Sequence, residues 1–201
     1  MKLKMLSSFA LAAAISTGAQ AGVIFQDNFD AEGTAGQSTT NYTGFANWTV
    51  AEGSVDLVNS GNYGISCTDG TGKCVDLDGS TRNAGTFNSS VLTLAAGNYS
   101  LAFDISGNQR GSAADSMVVT LGGLINESFT LSASDPWQTI IRNFTVVSGV
   151  NDFISFNHDG RDNIGIMLDN VVVSAVPEPG TLALLGLGFA GLAAARRRQK
   201  A

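Results

Sequence analysis

Between residues 22 and 176 the apolar positions recur with the two-residue period of a pleated strand, not the 3.6-residue period of a helix. Within residues 99–106, Leu101, Phe103 and Ile105 share one face, and Ala102 and Asp104 take the other. Met117, Val119 and Leu121 alternate with Val118, Thr120 and Gly122; Ile140, Arg142, Phe144 and Val146 alternate with Ile141, Asn143, Thr145 and Val147. Gly, Asn, Ser, Thr and Asp punctuate these runs, as turn-forming residues do. The pattern predicts strands at about 23–29, 46–50, 53–58, 73–77, 85–94, 98–106, 115–122, 126–131, 137–147, 152–158 and 164–174. Many short strands with regular turns predict an all-β fold: a two-sheet antiparallel sandwich of jelly-roll type. No internal repeat interrupts it, and Ser174-Ala175-Val176-Pro177 is only a short connection to the C-terminal tail.

The two ends have a different pattern. Lys2 and Lys4 precede an apolar stretch at 5–15, and Ala19-Gln20-Ala21 has the small-x-small form of a cleavage site. Residues 1–21 are therefore expected to be a secretory signal peptide, with the mature chain starting near Gly22. At the far end, Val176-Pro177-Glu178-Pro179-Gly180 leads into an apolar run at 181–195, and Arg196-Arg197-Arg198-Gln199-Lys200 comes after it. As a helix the run spans about 22 Å, short for a hydrocarbon core of roughly 30 Å. The basic cluster favours a cytoplasmic C-terminus. Pro177, Glu178 and Pro179, a short transmembrane helix and a terminal Arg cluster, in that order, resemble a PEP-CTERM sorting signal over 176–201. The resemblance implies a Gram-negative-type bacterium and an exosortase-type sorting protease that removes the tail. The inner membrane would then be a transient anchor on the way to the cell surface or extracellular matrix. It concerns address and processing, not activity. Gly186-Leu187-Gly188-Phe189-Ala190-Gly191 matches a dinucleotide-binding fingerprint, but no strand–helix–strand unit surrounds it. Its small residues suit helix packing or recognition by the sorting enzyme.

The whole-chain net charge of −6 hides the character of the domain at 22–175. That part holds sixteen Asp and Glu against Lys73, Arg82, Arg110, Arg142 and Arg161, a net of −11. Such a surface repels phosphate backbones and disfavours nucleic acid as a partner. It suits solubility and divalent cations. Cys67 and Cys74 flank the turn-rich Thr68-Asp69-Gly70-Thr71-Gly72-Lys73. In an exported chain this pair predicts one disulfide pinning a surface hairpin. Zinc would need further ligands, and the chain has one histidine.

Asp27-Asn28-Phe29-Asp30 opens the domain, Cys74-Val75-Asp76-Leu77-Asp78-Gly79-Ser80 and Ser106-Gly107-Asn108-Gln109-Arg110-Gly111 lie within it, and Leu168-Asp169-Asn170-Val171 closes it. These segments resemble the globular part of many PEP-CTERM proteins and, more loosely, the galactose-binding-like jelly rolls of carbohydrate-binding modules. The resemblance implies first and last strands lying side by side, with a structural Ca2+ between Asp30 and Asp169. Such an ion needs six to eight oxygen ligands, so carbonyls or water would complete the site. The residues alone also fit a turn cap at Asp30 and bonds from backbone amides at Asp169.

Sugar recognition uses exposed aromatic faces beside amides and acids. Tyr42 and Tyr63, in Gly/Asn-rich stretches, and the polar group Asn108, Gln109, Arg110 and Asp115 are the ligand-binding candidates. Trp48 and Trp137 begin apolar strands and are expected in the core. Catalytic constellations are thin. His158 is the sole histidine, with Ser155 and Asp159 close in sequence. Asp76 and Asp78 fall two apart on a strand, about 7 Å by the strand rise, within glycosidase range. No catalytic residue is assigned. The reading is a non-enzymatic, exported jelly roll associating with extracellular polysaccharide or biofilm matrix. A purely structural matrix or adhesion protein is the alternative, and a hydrolase acting through Asp76 and Asp78 is a third.

Overall fold

The computed structural model describes residues 22–111, 113–160, 162–177, 186–191 and 196. The expected signal peptide, Glu178 and Pro179 of the sorting motif and most of the apolar run lie outside the described residues. Residues 186–191 and 196 are helical. Among the described residues no helix is long and apolar enough to cross a membrane.

The alternating segments form strands β1 (Gly22–Asp27), β2 (Trp48–Ala51), β3 (Asp56–Asn59), β4 (Lys73–Asp76), β5 (Thr86–Ser89), β6 (Leu92–Leu94), β7 (Gly97–Ser106), β8 (Asp115–Leu121), β9 (Ile125–Leu131), β10 (Gln138–Val146), β11 (Val150–Asp152), β12 (Ile154–His158) and β13 (Met167–Val176). They belong to a unit spanning Ala21–Val176. One sheet has the order β10-β7-β13-β4-β3, with β1 also pairing β13; the other has the order β2-β5-β12-β8-β9. The pairings within both are antiparallel, giving a jelly-roll β-sandwich. Two expected strands are split. Segment 85–94 breaks after Ser89, and segment 152–158 breaks at Phe153, because β6 and β11 leave the sheets to form a two-stranded ribbon of their own. At the break, the Ile154 amide donates to the Ser89 hydroxyl at 2.9 Å.

Burial follows the two-residue period. On β7, Leu101, Phe103 and Ile105 are fully buried, and on β8 so are Met117, Val119 and Leu121. An aromatic group fills the space between the sheets, with Trp48 stacked on Phe87 at 4.5 Å and Phe103 edge-on to Phe156 at 5.3 Å. At one lateral edge, Arg142 of β10 pairs with Glu127 of β9 and lies 5.9 Å above the Phe129 ring. A smaller apolar cluster of Val58, Ile65, Cys67, Cys74 and Met167 sits apart from the main core. Cys67 and Cys74 are bonded to each other, as expected.

Candidate functional site

Two loops meet at the end of the first sheet where β7 finishes and β10 begins. The Gly107 amide donates to the Asp135 carbonyl at 3.0 Å, and the Gln109 amide donates to the Ala133 carbonyl at 2.9 Å. This close approach requires a glycine. A Cβ on Gly107 would stand 2.0 Å from the Ser132 carbonyl oxygen. Between the loops lies a groove of about 670 Å³, lined by Ser106, Gln109, Gly111, residues 132–136 and Trp137. That volume is in the range of small-molecule sites.

A third segment, the stretch leading into the Cys67–Cys74 disulfide loop, holds the groove's wall. Ser66, next to Cys67, presents both sides of its backbone to the groove residues. Its amide donates to Gln109 Oε1 at 2.9 Å, and its carbonyl accepts from Gln109 Nε2 at 3.0 Å and from Trp137 Nε1 at 2.7 Å. Gln109 Nε2 also donates to the Ser106 hydroxyl at 3.1 Å. Gln109 adopts a left-handed φ of 60° to make these contacts.

Trp137 corrects one expectation. Trp48 is in the core, but Trp137 is only half-buried; it packs on the small apolar cluster and lines the groove. Pro136 just before it is the sequence signal for this position, since proline marks strand starts and edges rather than sheet interiors. The contribution of Ser66 has no signal in the sequence, because it acts through its backbone.

The expected ligand-binding residues separate. Gln109 lines the groove. Asn108 is fully buried and donates to the Asp115 carboxylate at 2.7 Å, so both face inward. Arg110 turns away to pair with buried Asp76. Tyr42 is half-buried, edge-on to Phe45 at 4.6 Å, and its hydroxyl accepts from the Gly33 amide at 3.0 Å. Tyr63 is exposed, on the 3-10 turn Asn62–Gly64.

Asp30 and Asp169 do come together. Both line a polar cavity of about 150 Å³ with Asn28, Thr68, Asp69, Thr71 and Asn170. The β1–β13 pairing (Asp27 opposite Val171) creates this proximity. Asp30 Oδ1 accepts from the Lys73 amide at 2.8 Å and Oδ2 accepts from Asn28 Nδ2 at 2.8 Å. Asp169 accepts from the amides of Asn170 at 2.8 Å and Thr68 at 3.3 Å. Burial pushes the Asp169 carboxyl up to about 7 against these hydrogen bonds, and the charge of Asp30 adds to the rise. The carboxylate, amide and hydroxyl oxygens lining this cavity are the donors that suit a hard divalent ion. Among the described residues no three acidic, imidazole or thiol groups are arranged as a metal cluster, so such an ion would draw on amide, hydroxyl and carbonyl oxygens as well.

Asp76 and Asp78 serve the fold. Asp76 Oδ1 accepts from the amides of Asp78 at 3.1 Å and Gly165 at 2.9 Å. Asp78 Oδ2 accepts from the amides of Asp162 at 3.2 Å and Asn163 at 3.1 Å. Burial pushes the Asp76 carboxyl up to about 8, opposed first by Arg110. Neither aspartate lines the groove or the acidic cavity. His158 ends β12, and its Nε2 accepts from the Ile166 amide at 3.1 Å, with burial lowering its pKa. Ser155 and His158 stand three apart on one strand, so their side chains take opposite faces.

Residues 175–198 match the PEP-CTERM protein-sorting motif, which marks an exported protein. Among curated proteins, none matches this sequence. Solved structures share the fold at low identity. The Clostridium thermocellum xylanase 10B fragment, holding CBM22-1 and GH10 modules with bound xylohexaose, aligns at TM-score 0.51 and 14% identity over 80% of this chain. This chain spans only 30% of that one. TmCBM61 in complex with β-1,4-galactotriose aligns at 0.49 and 16% over 66% of this chain and 90% of its own. The K3 adhesin domain of Lys-gingipain from Porphyromonas gingivalis aligns at 0.47 and 14% over 78% and 100%. At these identities the likeness is one of fold: the jelly-roll sandwich that also serves in carbohydrate-binding modules.

Proposed function

We propose that this protein is an exported, non-catalytic sugar-binding domain that holds a neutral extracellular polysaccharide in the Trp137 groove. The observation that carries the reading is a half-buried indole beside amide and hydroxyl groups in a cavity of ligand size. An aromatic face packs on the apolar face of a pyranose ring, while polar neighbours meet its hydroxyls. Charge selects the sugar. Asp135 lines the groove, no Lys or Arg among the described residues does, and Arg110 is turned inward to Asp76. An acidic domain with such a groove favours neutral glycans over uronic or sulfated ones. The sorting motif supports delivery by an exosortase-type protease, through a transient inner-membrane anchor, to the surface or the biofilm matrix. Absorption of Asp76, Asp78 and His158 into backbone hydrogen bonds supports a non-catalytic role.

The test is a glycan array probed with the full chain and with Trp137→Ala. The expected result is saturable binding to neutral glycans, weakened about tenfold or more in the variant, since a tenfold loss corresponds to about 1.4 kcal/mol. A folded, monodisperse protein that binds none of them would instead be a structural matrix protein. The acidic cavity supports a second element of the reading: Ca2+ held by Asp30 and Asp169, stiffening the junction of first and last strands. Thermal unfolding with added calcium and with chelator tests it, and identical curves would remove the ion.

A further inference from the structure

Both chain ends of the sandwich leave from one pole. Gly22 is opposite Ala175 and Val23 opposite Ser174, while Ala175 and Val176 are also paired with Tyr99 and Asn98 of β7. At the same level Val146 pairs with Gly97, and the chain turns through 147–149. Four of the eight exposed large apolar side chains described in the unit belong to this pole: Val23 at 55%, Ile24 at 45%, Val147 at 89% and Val176 at 41%. In a domain of net charge −11, the segments that build the pole (22–24, 95–98, 145–149 and 174–176) contain no charged residue. Four residues, 177–180, separate β13 from the apolar run that starts at 181. Fully extended, four residues reach at most about 14 Å.

We infer that this pole is a membrane-docking face, seated on the bilayer surface while the apolar tail is inserted. The inference rests on the sorting reading of the tail. A tether this short holds the pole at the headgroup layer, and apolar side chains there gain by entering the interface, roughly 5–10 Å deep in known interfacial elements. With no acid in these four segments, the repulsion that an anionic lipid surface exerts on the rest of this domain is lowered here, and Glu178 of the tether is the nearest acid in the chain. Residues 174–176 are locked into the sheet, so the first bond free to enter a sorting protease lies at or beyond Pro177, at the membrane surface. The groove sits at the opposite ends of the same strands. β7 is ten residues long, about 30 Å at the usual rise, so docking would point the groove away from the membrane toward its glycan.

The test uses the mature chain from Gly22, with its tail, in phosphatidylethanolamine/phosphatidylglycerol liposomes. The native cysteines are bonded to each other, so Val147→Cys and Ser134→Cys each supply a single thiol for an environment-sensitive dye. A headgroup-attached nitroxide lipid should quench dye at 147 about threefold more than at 134, given that interfacial groups lie within roughly 10 Å of the headgroups. Adding Val23→Asp and Ile24→Asp should lower the quenching at 147 toward the value at 134. Equal quenching at both positions in liposomes that carry the chain overturns docking while leaving the tail reading intact. Quenching at 147 unmoved by the aspartates overturns the part assigned to the apolar side chains. A chain that does not float with the liposomes overturns the inserted tail, and docking with it.

Discussion

Gln109→Ala tests the construction of the groove most directly. It removes three hydrogen bonds, those with the Ser66 amide and carbonyl and with the Ser106 hydroxyl. At a half-buried site each contributes about 0.5–1 kcal/mol net, so the loss should be about 2 kcal/mol. The left-handed φ of 60° costs a non-glycine residue about 1 kcal/mol. Alanine keeps that cost and glycine relieves it, so Gln109→Gly should lose only about 1 kcal/mol. For a domain of this size 1 kcal/mol moves Tm by about 2–4 °C. The expected falls are therefore about 4–8 °C for alanine and about 2–4 °C for glycine. Reversible thermal unfolding measures them. Acrylamide quenching adds a local readout, because Trp48 is 4% exposed and Trp137 carries the accessible emission, which should rise once its wall is released. Glycine as damaging as alanine would refute the backbone part of this reasoning. Both variants melting with wild type would refute the clamp itself.

Gly107→Ala should destabilise by about 2 kcal/mol or more, because its Cβ meets the Ser132 carbonyl at 2.0 Å and backbone cannot yield as a side chain does; denaturant titration measures this, and glycan binding should fall with it. Asp169 titrates near 3.9 when unfolded and up to about 7 in the fold. The folded state therefore holds the extra proton, and metal-free stability should decline as pH rises from about 4 through 7, by at most about 1.4 kcal/mol per unit. Asp169→Asn should flatten that slope in a pH series of melts, and an unchanged slope would contradict the assignment. Asp76→Ala and Asp78→Ala should lower Tm, because they remove the oxygens that accept from the amides of Gly165, Asp162 and Asn163, while glycan binding by the folded fraction stays at the wild-type level; loss of a hydrolytic activity in these variants would restore the enzyme reading.

Much of the fold is legible in the chain, because a strand's period is a local property. Leu101, Phe103 and Ile105 must share a face whatever they pack against, and the tail motif and the Cys67–Cys74 spacing are equally local. What the pattern could not assign was the destination of residues whose role depends on distant partners. Trp48 and Trp137 both begin apolar strands. One is buried because β1, β5 and β12 surround it, and the other opens onto a groove because the end of β7 and the disulfide loop stop short of covering it. Asn108 and Gln109 are neighbours with similar side chains, yet the left-handed φ at Gln109 sends one amide inward to Asp115 and the other outward to Ser66. Asp30 and Asp169 meet, and both chain ends share a pole, only because β1 pairs with β13. The strands, the address and the acidic surface are thus written in consecutive residues and need no knowledge of the fold. The groove, the acidic cavity and the apolar pole are each assembled from segments far apart in the chain, and strand pairing is what brings those segments together.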